Sequence, residues 1–101
     1  RDAQANIIKI QLSKIIGYKS VDYLNGYMSK MAAGNTADAF HALSEGYGFI
    51  MSLQFTNDGN DNPYFSKAEV DAMLAKMSDF WTVSDTDLSA MVSDITIKMN
   101  L

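Results

Sequence analysis

The segment from Ala39 to Leu53 is apolar on almost every side when it is drawn as a helix. One narrow stripe interrupts this surface, because helical spacing places four polar or small residues on one line: His41, Glu45, Gly48 and Ser52. A helix that is apolar nearly all round is normally central in its fold and packed on several sides. The pattern therefore predicts a buried central helix from about residue 36 to about residue 55.

Apolar residues at helical spacing also predict helices before this segment. The first stripe predicts a helix over residues 3–16 and consists of Ala5, Ile8, Leu12 and Ile15. If the same face of the helix stayed buried further along the chain, Lys19 and Asp22 would be buried. The buried face is therefore expected to change near residues 17–20. A second stripe then begins and consists of Val21, Leu24, Met28 and Met31. The sequence leaves open whether this change is a break or a kink.

Two serine caps predict where the last two helices begin. Ser66 is followed three residues later by Glu69, which is the spacing of a capping box, so a helix is expected to begin at Lys67. Ser84 and Asp87 repeat the pattern before a helix that continues to the C-terminus. The fold class predicted is all-α, a single domain over residues 1–101 built as an up-down bundle of four to five helices. An uncapped, Ile-rich first helix suggests that the chain is a fragment of a larger helical protein.

Composition narrows the classes of function. The chain has no cysteine, which excludes disulfides, thiolate metal sites and cysteine nucleophiles. Its net charge is −4 and its lysines are scattered, so nucleic acid is a poor candidate partner. No apolar run is long enough for a transmembrane span.

His41 and Glu45 are the first candidate site. They are four residues apart, so their side chains can meet on one face of a helix, where a carboxylate could orient the imidazole or both could hold a cation. The alternative is a structural pair, either satisfied inside the bundle or facing water along the stripe. A metal site would need further ligands, from Asp22, Asp38 or an upstream segment.

The loop over residues 56–64 is the second candidate site. Counting from Asp58, the ligand positions one, three, five and twelve of an EF-hand fall on Asp58, Asn60, Asn62 and Glu69. The sixth position requires a left-handed turn and is occupied by Pro63, which cannot adopt positive φ. Glu69 also has a sufficient role in the capping box. We therefore expect a solvated Asx-rich turn that does not bind calcium with the affinity of a sensor.

The run from Phe40 to Gly46 resembles the imelysin family, whose signature is a Gly-x-His-x-x-Glu helix motif. Here four residues rather than three separate His41 from Glu45, and Ala39 replaces the leading Gly. The longer pattern is more similar to an uncharacterised secreted bacterial family, domain of unknown function 4856, over residues 36–80. It comprises residues 41–55, Pro63-Tyr64-Phe65-Ser66 and Glu69-Val70-Asp71-Ala72.

The resemblance to imelysins implies a helical protein of the cell envelope, located in the periplasm or as an outer-membrane lipoprotein. It implies a non-enzymatic accessory or binding component linked to iron acquisition, with His41 and Glu45 as ligand residues and iron as the metal ion. Two alternatives stay open: a structural subunit whose Ile-rich first helix docks on a larger envelope complex, and a hydrolase that uses His41 and Glu45. The expected partners are the upstream part of the same precursor or another envelope protein, with the membrane reached only through an upstream lipid anchor.

Overall fold

A computed structural model describes residues 2–101, except for the side chain of Asp2. These residues form four α-helices: α1 (Asp2–Ala32), α2 (Thr36–Ser52), α3 (Lys67–Ala75) and α4 (Asp85–Lys98). A short 3-10 turn, Leu53–Phe55, continues α2. Over residues 2–101 the β-type pairing is limited to one isolated bridge, which joins Asn57 and Pro63. The predicted all-α bundle is therefore confirmed.

Helix α1 is continuous through residues 17–20, so the predicted end of a first helix at residue 16 is wrong. The buried side of α1 runs along one line that consists of Ser13, Gly17, Ser20, Leu24 and Tyr27. The same face of α1 therefore stays buried before and after residue 17. In its N-terminal half the packed side is made of small residues, which carry no hydrophobic signal in the sequence. Gly17 leaves room for Met99, whose Sδ lies 2.8 Å from the position that a Cβ would take.

Helices α1 and α2 form an antiparallel hairpin. The chain reverses at Gly34, which has a φ of 81°, and the amide of Asn35 donates to the carbonyl oxygen of Lys30 over 2.9 Å. In the hairpin the rings of Tyr23 and Phe49 stack with their centroids 5.4 Å apart. Helix α2 begins at residue 36, and with its 3-10 continuation ends at residue 55, as predicted.

Helix α3 begins at Lys67 because the predicted capping box forms. The Ser66 Oγ accepts from the Glu69 amide over 3.1 Å, and the Glu69 Oε1 accepts from the Ser66 amide over 2.8 Å. At the start of α4 only one of the two hydrogen bonds of a capping box is present. Ser84 Oγ accepts from the Asp87 amide over 3.1 Å, but the shorter Asp87 carboxylate lies 3.7 Å from the ammonium group of Lys76.

Helix α4 runs antiparallel to α1 and ends against its middle. The Lys14 ammonium group donates to the carbonyl oxygens of Met99 and Asn100. Near the other end of α4, the Ser89 hydroxyl lies 3.6 Å from the sulfur of Met28. The core between the helices contains fully buried aliphatic, aromatic and methionine side chains, among them Leu24, Leu43, Ile50, Leu53, Phe65, Met77, Leu88 and Ile95.

Candidate functional site

His41 and Glu45 lie on the solvent side of α2. The His41 Nε2 and the Glu45 Oε1 are 3.7 Å apart, and the two side chains are 76% and 46% exposed. This distance is too long for a hydrogen bond, so the pair is a loose ion pair when His41 is protonated. The expectation of a helix buried on several sides is wrong. Helix α2 is buried along one side only, which consists of Ala39, Ala42, Leu43, Gly46 and Ile50.

Metal binding at His41 and Glu45 would need donors that the described side chains do not bring. Among them, no three histidine, cysteine, aspartate or glutamate residues are grouped closely enough to hold a metal ion. Asp22 and Asp38 therefore do not complete the pair. Because protein zinc sites use three or four protein ligands, two exposed donors alone form an incomplete site.

Two glycines of α2, Gly46 and Gly48, differ in their surroundings. A Cβ at Gly46 would lie 3.3 Å from the Cβ of Tyr23, so close packing against α1 accounts for this glycine. A Cβ at Gly48 would meet nothing within 4 Å, so helix packing does not account for this glycine. Gly48 instead forms part of a shallow groove of about 260 Å³ that is lined by Glu45, Gly48, Phe49 and Ser52.

The loop after α2 is organised around the carboxylate of Asp58. Its Oδ1 accepts from the amides of Asn60 over 2.8 Å and Asn62 over 3.4 Å, and its Oδ2 accepts from the Asn62 side chain over 3.1 Å. These hydrogen bonds, led by the one from the Asn60 amide, lower the pKa of Asp58. The loop is the predicted Asx-rich turn, and it uses the Asp58 carboxylate internally.

Glu69, the residue at the twelfth position of the EF-hand count, is engaged elsewhere. Its Oε1 accepts from the Ser66 amide, and its Oε2 is paired with the ammonium group of Lys98. The hydrogen bond from Lys98, followed by the one from the Ser66 amide, lowers the pKa of Glu69 to about 2. A calcium ion could use both oxygens of Glu69 only by displacing the cap and the ion pair. The structure therefore joins Asp58, Asn60 and Asn62 in one turn and places Glu69 in a separate network.

No local pattern in the sequence indicates that this loop packs against α1. The amide of Asn57 donates to the hydroxyl of Ser13 over 3.0 Å. Gly59, which has a φ of 88°, lies directly against Ile10, because a Cβ at this glycine would be 2.7 Å from the Ile10 Cδ1. The loop thus covers the inner side of the N-terminal half of α1.

The outer side of the same half-helix is apolar and exposed. We call this surface the α1 ridge; it consists of Ile7, Ile8, Leu12 and Ile15, each 52–56% exposed. Helical geometry places the ridge opposite Ser13 and Gly17, which face the bundle. Contiguous exposed apolar side chains are typical of surfaces that bind another macromolecule. Such a surface can bind a partner, but it carries no group that could perform catalysis.

Comparison with known proteins identifies a family and no function. No helix within residues 2–101 has both the length and the apolar character that crossing a membrane requires. No curated protein and no solved structure matches the sequence. The family profile described as "Domain of unknown function (DUF4856)" matches residues 1–101. The resemblance that the sequence showed over residues 36–80 is thereby confirmed and extended, whereas the resemblance to imelysins stays a prediction. The chain belongs to the DUF4856 family.

Proposed function

We propose that this chain is a non-enzymatic binding or structural component that docks on another protein through the α1 ridge. The observation that carries the proposal is the exposure of Ile7, Ile8, Leu12 and Ile15 on the side of α1 that faces away from its own bundle. A group of exposed apolar side chains on a helix that is already packed on its other side is typical of a surface that binds another macromolecule. The loop and the end of α4 cover the inner side only.

The free energy gained by burying the ridge indicates what kind of interface it can form. Covering the exposed half of an Ile or Leu side chain gains about 1 kcal/mol, so the four residues together supply about 4 kcal/mol before the costs of association. That is too little for a stable complex on its own. The ridge therefore serves as the apolar centre of a larger interface, whose edges add further contacts.

The exposed His41 and Glu45 favour this proposal over the hydrolase alternative. A catalytic pair is usually held by further groups that fix its geometry and its state of protonation. Here the two groups are separated by 3.7 Å and face the solvent. The location in the cell envelope and the link to iron acquisition form part of the proposal only through the resemblance to imelysins.

The proposal is tested by photo-crosslinking in the natural host. A photoreactive phenylalanine analogue replaces Leu12 in the full natural protein, and in a matched control it replaces Ile97, an isolated residue of α4 that is 75% exposed. We expect a discrete adduct with another protein from position 12, lost when Ile8 and Ile15 are both changed to Glu. Equal adducts from the two positions, or a crosslink confined to the same chain, would contradict the proposal.

A further inference from the structure

We infer that residues 3–12 of α1, which we call the N-terminal segment, unfold and refold independently of the bundle, and that the loop over residues 56–64 holds them folded. Eight residues of this segment are exposed, Asn6 and Ile10 are half-buried, and none is buried. Ser13 is the first buried residue of α1 among its described side chains. The boundary between the N-terminal segment and the bundle therefore lies between Leu12 and Ser13.

The residues of the N-terminal segment do not strongly favour a helix by themselves. Ile7, Ile8 and Ile10 are β-branched and lose side-chain freedom in a helix, and the side chain of Asn6 competes for backbone hydrogen bonds. The segment continues a packed helix and needs no nucleus of its own, but most helical stability in proteins comes from tertiary packing. Its folded state therefore depends on the contacts that it makes outside α1.

Both half-buried residues of the N-terminal segment lie against one glycine of the loop. From the position that a Cβ would take at Gly59, the Ile10 Cδ1 is 2.7 Å away and the carbonyl oxygen of Asn6 is 3.5 Å away. The ammonium group of Lys9 also lies 4.0 Å from the Asp61 carboxylate, but these side chains are 51% and 92% exposed, so their pairing adds little. Gly59 therefore provides the main contact that holds the segment.

The loop is the fixed partner in this contact. Thr56 at its start and Phe65 directly after its end are each 1% exposed. Between them the Asp58 carboxylate accepts three hydrogen bonds within the loop, and the Gly59 amide donates to the Asn57 Oδ1 over 2.9 Å. A loop that is anchored at both ends and bonded internally keeps Gly59 in place. The N-terminal segment is thus the part that unfolds.

Unfolding of the N-terminal segment removes most of the α1 ridge, because Ile7, Ile8 and Leu12 belong to both and only Ile15 lies beyond. The loop contacts the inner side of α1 and the ridge lies on the outer side, so the two surfaces are coupled through the folded state of the segment. Control of the ridge by the loop rests on the docking function proposed above. A partner on the ridge and Gly59 on Ile10 stabilise the same helical state.

Independent unfolding is tested by native-state hydrogen exchange on the purified chain, measured for each residue by NMR. We expect the amides of residues 7–12 to be protected about a hundredfold less than the amide of Leu24. Low concentrations of urea should accelerate exchange at Leu24 and leave residues 7–12 unchanged, because unfolding of the segment exposes little surface. Equal protection, or an equal dependence on urea, along α1 would show that the segment unfolds only with the bundle.

The same substitution on opposite sides of the segment isolates the contact with the loop. Ile10→Ala and Ile8→Ala raise the helix propensity equally, but only Ile10 lies against Gly59. Exchange at residues 7–12 should be about fivefold faster in Ile10→Ala than in Ile8→Ala, because only the first variant loses apolar area that the loop covers. Equal rates in the two variants would mean that the loop does not hold the segment.

Control of the ridge is tested by crosslinking from position 12 in the full natural protein. Gly59→Ala should lower the yield severalfold, because a methyl group there is strained at a φ of 88° and crowds Ile10, so the binding-competent state is less populated. Ile10→Ala should act in the same direction. Gly48→Ala, whose methyl group meets no neighbour, is the control and should leave the yield unchanged.

The outcomes separate this inference from the docking proposal. If hydrogen exchange gives the expected result and Gly59→Ala leaves the crosslink intact, the segment unfolds independently but its control of the ridge is wrong. If the natural protein gives no crosslink from position 12, the docking proposal fails and control of the ridge fails with it. Hydrogen exchange then still decides whether the N-terminal segment unfolds by itself.

Discussion

Helices α1 and α2 lie side by side, yet they present opposite kinds of surface to the solvent. The outer side of α1 in its N-terminal half carries exposed Ile and Leu, whereas the outer side of α2 carries His41, Glu45 and Gly48. Their inner sides differ less. The N-terminal half of α1 packs through small residues such as Gly17, and α2 combines small residues such as Gly46 with large ones such as Ile50. Both helices therefore let a neighbour approach the backbone closely, and they differ mainly in the side that faces the solvent.

Two leucines of α1 should differ most in how their substitution changes the free energy of unfolding. Leu24 is fully buried, so Leu24→Ala should lower the free energy of unfolding by ~2–5 kcal/mol. Leu12 is 56% exposed, so Leu12→Ala should change it by less than ~0.5 kcal/mol. Urea denaturation of the two variants measures both quantities. Losses of similar size would show that the ridge is buried in solution.

A hydroxyl on the side of α1 opposite the ridge gives a smaller effect. Ser13→Ala leaves the amide of Asn57 without its acceptor, so we expect a loss of ~1–2 kcal/mol in the same measurement. The matched control is Ser44→Ala on the exposed side of α2, which should be neutral or slightly stabilising because alanine has the higher helix propensity. Equal results for the two serines would mean that the loop does not pack on α1 through this bond.

The two glycines of α2 should respond in opposite ways. Gly48→Ala should raise the free energy of unfolding by ~1 kcal/mol, because alanine favours the helix and the new methyl group meets no neighbour. Gly46→Ala should give no gain or a loss, because its methyl group would lie 3.3 Å from the Cβ of Tyr23. A gain at both positions would show that α1 and α2 pack less closely than described.

Glu45→Gln should have the smallest effect. The pair with His41 is exposed and separated by 3.7 Å, so its loss should change the free energy of unfolding by less than ~0.5 kcal/mol. Thermal and urea unfolding of the variant and the natural chain provide the comparison. A loss of ~1–3 kcal/mol, which is the cost of leaving a buried polar group unpaired, would instead show that the pair is structural.

The parts of the fold that depend on near neighbours were predictable from the sequence. The start of α3 at Lys67 was correct, because a capping box involves residues only three positions apart. The turn at Asp58 was correct for the same reason, since its bonds reach no further than Asn62. The spacing of His41 and Glu45 likewise predicted that they share one face of a helix, and it left open whether that face is buried or exposed.

The parts that depend on distant residues were not predictable. The packed side of α1 includes Gly17 beneath Met99, and a glycine gives no hydrophobic signal that would reveal that side. Glu69 was recognised as a capping residue, but its ion pair with Lys98 spans 29 positions and left no trace in local patterns. The exposed side of α2 was not predicted, because alanine and glycine are classed as apolar although their burial removes little apolar area from water.

The contact between Lys14 and the carbonyl oxygens of Met99 and Asn100 has a consequence for the order of folding. It joins residues 85 and 86 positions apart, whereas the α1–α2 hairpin closes across a turn of three residues. Closing a short loop costs less entropy, so during synthesis the hairpin forms first. Until Met99 arrives, α1 is uncovered around Gly17 on its inner side and along the ridge on its outer side. An intermediate at that stage exposes more apolar surface than the folded chain, which favours aggregation.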